Sequence, residues 1–232
     1  MINLIDFFKT IEYDCYCIIK IDDKFPEYSI GDDIDIFCFD ISHIIKNLLI
    51  VTNQYIDKGF TAQITKRSET HTHFDILNKN KIEIRFDLYQ QFPGYKNLNI
   101  KKSLFDVIIE KREKKMINNS LFVYVPNKID ELILRYIEYH EWYAERPDKI
   151  KHIEYILKNA EDKTKFLDRI HHYTALPKYH EHKIIIKSDK QTKRKINIRN
   201  TISLLKKSKH IHKKSPKELF RFIRWNIIKH FK

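Results

Sequence analysis

The chain has 232 residues, of which 42% are hydrophobic, and this composition excludes a largely disordered protein and allows one domain or two small ones. Only three residues are glycine, so glycine-rich dinucleotide loops and P-loops are excluded. The net charge of +13 comes entirely from residues 183–232, where 17 Lys and Arg stand against Asp189 and Glu218. We therefore expect a domain boundary near residue 183.

The chain begins without a basic start followed by a long apolar run, and no 20-residue apolar span follows. We expect neither a signal peptide nor a transmembrane helix. The cysteines, Cys15, Cys17 and Cys38, all lie in apolar runs. This placement favours buried, reduced thiols over a disulfide or a zinc site, and with it a cytoplasmic protein.

The first predicted strand covers residues 14–21, and a polar loop with Pro26 and Gly31 leads to a strand that contains Asp33 and Asp35. Because successive side chains of a strand point to opposite faces, the two carboxylates project together. Neighbouring carboxylates repel each other, and a divalent cation that prefers oxygen ligands, Mg²⁺ or Mn²⁺, removes that repulsion. The pattern indicates a metal site on a sheet.

Helical spacing then predicts a helix over 41–58, with Ser42 as a candidate N-cap and Gly59 as its stop. A short strand is expected over 60–65. The strict alternation of residues 70–77 and 82–89, on either side of a four-residue polar loop, predicts a hairpin. One face of its arms carries His71, His73 and Asp75 on the first arm and Glu83, Arg85, Asp87 and Tyr89 on the second.

Beyond Pro93 the helical signals return, with a helix predicted over 127–143 and a further one from Pro147 to about residue 157. We therefore predict an α+β protein with a small mixed sheet and packed helices. Its expected parts are a core at 1–95, a helical appendage at 96–182 and a basic tail at 183–232.

The order of strand, acidic strand, helix, small strand and acidic hairpin resembles the nucleotidyltransferase fold of the DNA polymerase beta superfamily. The resemblance covers about residues 10–90. It implies two carboxylates one residue apart on one strand, here Asp33 and Asp35, and a third on a nearby strand. For the third, Asp75 is the better match because it follows a short strand, and Asp87 is the reserve candidate.

The resemblance further implies that these carboxylates hold Mg²⁺ ions that bind a nucleoside triphosphate. Asp33 and Asp35 would bind the metal that carries the triphosphate. Asp75 would complete a second metal site and help to deprotonate the acceptor hydroxyl, for an in-line displacement at the alpha phosphorus. Arg85 could contact the substrate, although an ion pair with Asp87 is the stronger expectation.

The family normally carries a Gly-Ser pair before the paired carboxylates, and the corresponding residues 18–24 of this chain have none. Divergent members that are encoded with surface-polysaccharide genes share such a variant, with a basic residue after the first strand. Lys20 or Lys24 could then neutralise the phosphates, near Gly31 at the start of the acidic strand.

The histidines allow other interpretations. His71 and His73 could form a zinc site with Asp75, but a pair of sheet-face histidines near an active site is the stronger expectation. The cluster of His171, His172, His180 and His182 is typical of a solvated linker.

The tail allows three uses. Its last residues, from Ser215 onward, predict an amphipathic helix that opens on Pro216 and has basic residues opposite an apolar arc. Such a helix suits an anionic membrane surface, while nucleic-acid binding and packing on the body are the alternatives.

The leading hypothesis is a metal-dependent nucleotidyltransferase that moves a nucleoside monophosphate to an acceptor hydroxyl or phosphate. A sugar in surface-glycan assembly is one candidate acceptor, with the enzyme cytoplasmic or peripheral at the membrane. The alternative is a catalytically degenerate protein of the same fold that binds nucleic acid or membrane through its tail. A phosphocholine-type transferase is a third possibility.

Overall fold

The computed structural model describes residues 1–21, 24–95, 98–117 and 121–175. Within these residues the protein is α+β, with a five-stranded mixed sheet and helices, which confirms the predicted fold class. The basic tail at 183–232, with its predicted terminal helix, and His180 and His182 lie outside the described residues.

Six α-helices are found among the described residues. They are α1 (Leu4–Thr10), α2 (Ile41–Asn53), α3 (Ser103–Glu110), α4 (Lys128–Trp142), α5 (Ile150–Asn159) and α6 (Lys163–Tyr173). The strands are β1 (Tyr16–Ile18), β2 (Asp32–Cys38), β3 (Phe60–Ser68), β4 (His71–Asn78), β5 (Lys81–Tyr89), β6 (Asn99–Ile100), β7 (Glu113–Ile117), β8 (Leu121–Val125) and β9 (Thr174–Ala175).

The main sheet has the strand order β1-β2-β5-β4-β3. β2 pairs parallel with β5, and each of the other neighbouring pairs is antiparallel. The hairpin predicted over 70–89 is therefore present as β4 and β5, and the sheet places its second arm beside the acidic strand. This order decides which carboxylates meet Asp33 and Asp35.

One face of the sheet is the hydrophobic core. Alternate residues of β2 and β5, such as Ile36 and Phe86, are completely buried and belong to one cluster with Phe7 of α1 and Leu48 of α2. The rings of Phe7, Phe8 and Phe74 lie 5.7–6.2 Å from that of Phe86. This face satisfies the period-two apolar pattern of the strands, so the other set of side chains must lie on the opposite face.

The turns of the hairpin and of the α2–β3 connection carry residues with positive φ. Lys79 and Asn80 have φ values of 50° and 63°, and they form the two-residue connection between β4 and β5. Such turns match the right-handed twist of the flanking strands. Gly59, with φ of 83°, ends the helical region, as predicted.

The second helix differs from its prediction at both ends. Its N-cap is Asp40, not Ser42, because the Asp40 carboxylate accepts a hydrogen bond from the amide of His43 at 2.9 Å. The α-helix ends at Asn53 and is followed by a 3₁₀ turn at Ile56–Lys58.

The chain divides into two compact units. The first contains Met1–Tyr95 and Ile100–Leu134, and the second contains Lys96–Asn99 and residues from Arg135 onward. The region predicted as a helical appendage thus includes the hairpin of β7 and β8, which belongs to the first unit. Leu121 and Val123 of β8 are buried in the core cluster of that unit.

The cysteine prediction holds at two of three positions. Cys17 and Cys38 are buried and Cys15 is exposed, because Cys15 precedes β1 and lies outside the sheet. All three are free thiols. Within the described residues, no helix is both long and apolar enough to cross a membrane.

Candidate metal centre

The second face of the sheet, the polar face, carries charged and imidazole side chains from three neighbouring strands, with Phe37 of β2 buried at one end of it. In β2 and β5, Asp33 lies opposite Arg85 and Asp35 lies opposite Asp87. In the next pair, Asp87 lies opposite His73. Because register partners point to the same side, three strands deliver acidic, basic and imidazole groups to one surface.

Three carboxylates converge on this face. One oxygen of each of Asp33, Asp35 and Asp87 can be chosen so that all three lie within 4.8 Å of one another. Asp33 is exposed, Asp35 is half-buried and Asp87 is only 8% exposed, so burial increases across the group from Asp33 to Asp87. Three carboxylates this close repel each other unless a cation or protons neutralise them.

Asp75 pairs with Arg85 and does not join the group of three carboxylates. Its two carboxylate oxygens accept hydrogen bonds from Arg85, from Nε at 2.6 Å and from Nη2 at 2.8 Å. This bidentate pair is largely buried, since Asp75 is 4% exposed, and it follows from the register of Asp75 opposite Arg85. Arg85 thus pairs with Asp75, not with Asp87 as expected, and Asp87 is the carboxylate that lies with Asp33 and Asp35.

The histidines of β4 reach the same buried carboxylate. His73 Nε2 lies 3.1 Å and His71 Nε2 lies 3.6 Å from Asp87 Oδ1. Neither contact has the geometry of a hydrogen bond, so Asp87 Oδ1 and His71 Nε2 are buried without a hydrogen-bond partner among the described residues. The candidate metal-binding group that contains the two histidines therefore includes Asp87 in place of Asp75.

Burial perturbs the protonation of these groups. Desolvation raises the pKa of Asp87, and the nearby Asp33 charge raises it further, while His71 and Arg85 oppose the shift. Desolvation lowers the pKa of His71 and of His73. The pKa of Arg85 is raised, mainly by its hydrogen bonds to Asp75. The site therefore holds neutral imidazoles beside a carboxylate that gains from a nearby cation.

The residues expected to contact phosphate lie around the strand ends. The amide of Ile19 donates to the carbonyl of Asp35 at 2.9 Å, which places Lys20 directly after the β1–β2 contact. Lys20 and Lys24 are both exposed. Gly31 has φ of 90°, in the left-handed region that glycine tolerates, and its amide donates to the Glu83 carbonyl at 2.9 Å.

Glu83 and Tyr89, the two other residues of β5 predicted on this face, differ in whether the structure places them there. Glu83 sits at a register shift between β4 and β5, is 2% exposed, and accepts a hydrogen bond from the Tyr28 hydroxyl at 2.9 Å. Tyr89 lies on the face predicted for it, and its ring stacks on that of His71 with 4.2 Å between the centroids. Strand alternation predicts the position of Tyr89, but the bulge at Glu83 has no clear signal in the sequence.

No protein-family model matches the chain, and no curated protein matches it. The geometry of the polar face is therefore the basis for assigning a function.

Proposed function

We propose that this protein is a metal-dependent nucleotidyltransferase that moves a nucleoside monophosphate from a nucleoside triphosphate to an acceptor hydroxyl or phosphate. The observation that carries the proposal is the convergence of Asp33, Asp35 and Asp87 on the polar face of the sheet. The resemblance to the nucleotidyltransferase fold implies such an arrangement, with a carboxylate pair on one strand and a third carboxylate on a nearby strand.

The donor set fits a hard divalent cation. All three groups offer oxygen, which Mg²⁺ and Mn²⁺ prefer. Desolvation raises the pKa of Asp87, and a nearby divalent cation would favour its charged form. A divalent cation held by Asp33, Asp35 and Asp87 would supply charge neutralisation for a bound triphosphate.

The third carboxylate of the proposal is Asp87 and not the first-choice candidate Asp75. Asp87 lies opposite Asp35 on the adjacent parallel strand, whereas β5 separates Asp75 from β2. The oxygens of Asp75 are also held by Arg85. We propose that Asp75 holds the Arg85 guanidinium in place beside Asp33, which is the register partner of Arg85.

Arg85 then adds positive charge at the edge of the carboxylate group without being a ligand. Three of the five guanidinium donors remain after the two hydrogen bonds to Asp75. These donors can orient a phosphate oxygen, so the sequence-predicted substrate contact is kept as part of the proposal. Lys20 and Lys24, with Gly31 at the start of β2, are proposed to neutralise the outer phosphates.

A sugar hydroxyl is the acceptor class to test first, since the sequence resembles members linked to surface-polysaccharide genes. Attachment of the basic tail to an anionic membrane belongs to the same proposal, and liposome flotation with and without residues 183–232 tests it. Equal flotation of the two forms would refute the attachment.

The nucleotide proposal is tested by thermal denaturation with Mn²⁺ and each of the four ribonucleoside triphosphates. A ligand present at a hundredfold excess over its dissociation constant stabilises the protein by about 2.7 kcal/mol, which corresponds to a shift of roughly 5–10 °C for a chain of this size. We expect a shift that needs both metal and nucleotide and that disappears in Asp33→Asn plus Asp35→Asn.

Asp57→Asn is the matched control, because Asp57 is an exposed aspartate of the 3₁₀ turn. It should retain the full shift. A shift that survives the loss of Asp33 and Asp35, or no metal-dependent shift with any nucleotide, would refute the enzymatic proposal and favour a degenerate protein of the same fold.

A further inference from the structure

We infer that His71, His73 and Asp87 form a second metal site, for a transition-metal ion such as Zn²⁺, which shares Asp87 with the carboxylate group. The inference concerns a different donor set from the proposed magnesium site. It does not depend on the proposed nucleotidyl transfer, because imidazole and carboxylate can hold such an ion whatever the protein catalyses.

The distances between the three donors fit ligands of one ion. His73 Nε2 and His71 Nε2 lie 3.1 and 3.6 Å from Asp87 Oδ1, and a donor atom of each residue can be chosen within 4.8 Å of the others. Zinc holds histidine nitrogen at about 2.0–2.1 Å and carboxylate oxygen at about 2.0–2.2 Å, so two of its tetrahedral ligands are about 3.4 Å apart.

Two of the three donor residues offer buried polar atoms that an ion could bind. Within the part of the chain that the structure describes, Asp87 Oδ1 and His71 Nε2 are buried and make no hydrogen bond, although buried polar atoms are normally paired. One ion between them would satisfy both atoms together. A hydrogen bond between His71 and Asp87 would satisfy them too, but 3.6 Å is too long for one.

The surroundings hold the imidazoles in place and in the right form. The His71 ring stacks on Tyr89, with 4.2 Å between centroids and 13° between planes, and it meets the His73 ring edge-on at 4.8 Å. All three residues lie on paired strands of the main sheet, which are rigid supports. Burial lowers the pKa of both histidines, so the neutral imidazole that binds metals is the dominant form at neutral pH.

The donor chemistry separates this site from the carboxylate group. Imidazole suits zinc and other first-row transition metals, whereas an oxygen-only set suits magnesium. Asp87 has two oxygens and lies between β2 and β4, so it is positioned to serve both groups. The polar face would then hold two unlike metal sites that share one carboxylate.

The test is a Zn²⁺ titration of the full chain, in competition with a chromogenic chelator. We expect one equivalent of Zn²⁺ whose affinity falls at least about tenfold in His71→Ala plus His73→Ala. Asp57→Asn should keep an affinity close to that of the unaltered protein, since Asp57 is an exposed aspartate of the 3₁₀ turn.

The matched control is His180→Ala plus His182→Ala, which removes another pair of histidines two residues apart. This control should not change the affinity of the protein for the one equivalent of Zn²⁺. The milder His73→Gln variant, with circular dichroism to verify folding, carries the test if the double variant does not fold. Loss of visible Co²⁺ absorption bands in the same variants provides a second readout.

The inference is overturned if no equivalent of Zn²⁺ binds, or if the variants of residues 71 and 73 bind it as the unaltered protein does. It is also overturned if the control pair or Asp57→Asn abolishes binding. None of these results involves nucleotide or magnesium, so failure here is distinguishable from failure of the proposed transferase activity.

Discussion

The two faces of the main sheet use the same strands and differ in how their side chains are satisfied. On the core face, Ile36 and Phe86 are fully buried among other apolar groups, and burial itself stabilises them. On the polar face, Asp87 is also buried, but its Oδ1 has no hydrogen bond from any residue that the structure describes. Because such burial costs free energy, Asp87 contributes less to the stability of the fold than the apolar residues of the core face do.

The largest expected effect comes from breaking the core face. Phe86→Ala removes a ring that packs on Phe7, Phe8 and Phe74, and it should lower the free energy of unfolding by about 3–5 kcal/mol. Urea denaturation followed by circular dichroism measures the change.

Phe39→Ala is the control for this prediction, because Phe39 lies just past β2 and is 45% exposed. It should cost clearly less than Phe86→Ala. Equal losses in the two variants would show that the assignment of the buried face is wrong.

An intermediate effect is expected from the ion pair of the polar face. Arg85→Ala leaves the buried carboxylate of Asp75 without its two donors, and it should cost about 2–4 kcal/mol. The double variant Asp75→Leu plus Arg85→Met removes both charges and should recover most of that loss. A double-mutant cycle by urea denaturation gives the coupling between the two residues.

Lys66→Ala provides the comparison with an exposed pair. Lys66 lies 2.9 Å from Glu69, and both side chains are largely in solvent, so the loss should stay below about 1 kcal/mol. A loss for Arg85→Ala as small as that for Lys66→Ala would contradict the burial of the pair.

The smallest effect concerns the thiols and leaves the fold intact. Burial raises the pKa of Cys38 to about 12 and raises that of Cys17 further, so neither is a thiolate at pH 8, whereas Cys15 is exposed. A thiol reagent should modify one cysteine in the native protein and all three in denaturant. Rapid modification of Cys38 in the native state would contradict a sealed core face.

Local sequence rules predicted the parts of the site that depend on one strand. Asp33 and Asp35 share a face because of strand alternation, and this needs no knowledge of the partner strands. The choice between Asp75 and Asp87 depends on strand order, since only the placement of β5 beside β2 brings Asp87 to the pair. Strand order is a property of the whole fold, and the spacing along the chain does not contain it.

Two other differences have equally local causes. Asp40 and Ser42 are both good N-cap residue types, and the structure selects Asp40 because its carboxylate reaches the His43 amide. The β7–β8 hairpin was missed because β7 is mostly polar and exposed, so it lacks an alternating pattern that would distinguish it from a loop or a helix surface.

The central claim is that Asp87, and not Asp75, completes a metal site with Asp33 and Asp35. The most direct test is a Mn²⁺ titration of the folded protein, with free Mn²⁺ counted by electron paramagnetic resonance, for Asp87→Asn and Asp75→Asn beside the unaltered chain. We expect Asp87→Asn to weaken Mn²⁺ binding at least about tenfold, while Asp75→Asn binds close to normally. Normal binding by Asp87→Asn, or loss of binding only in Asp75→Asn, would contradict the claim.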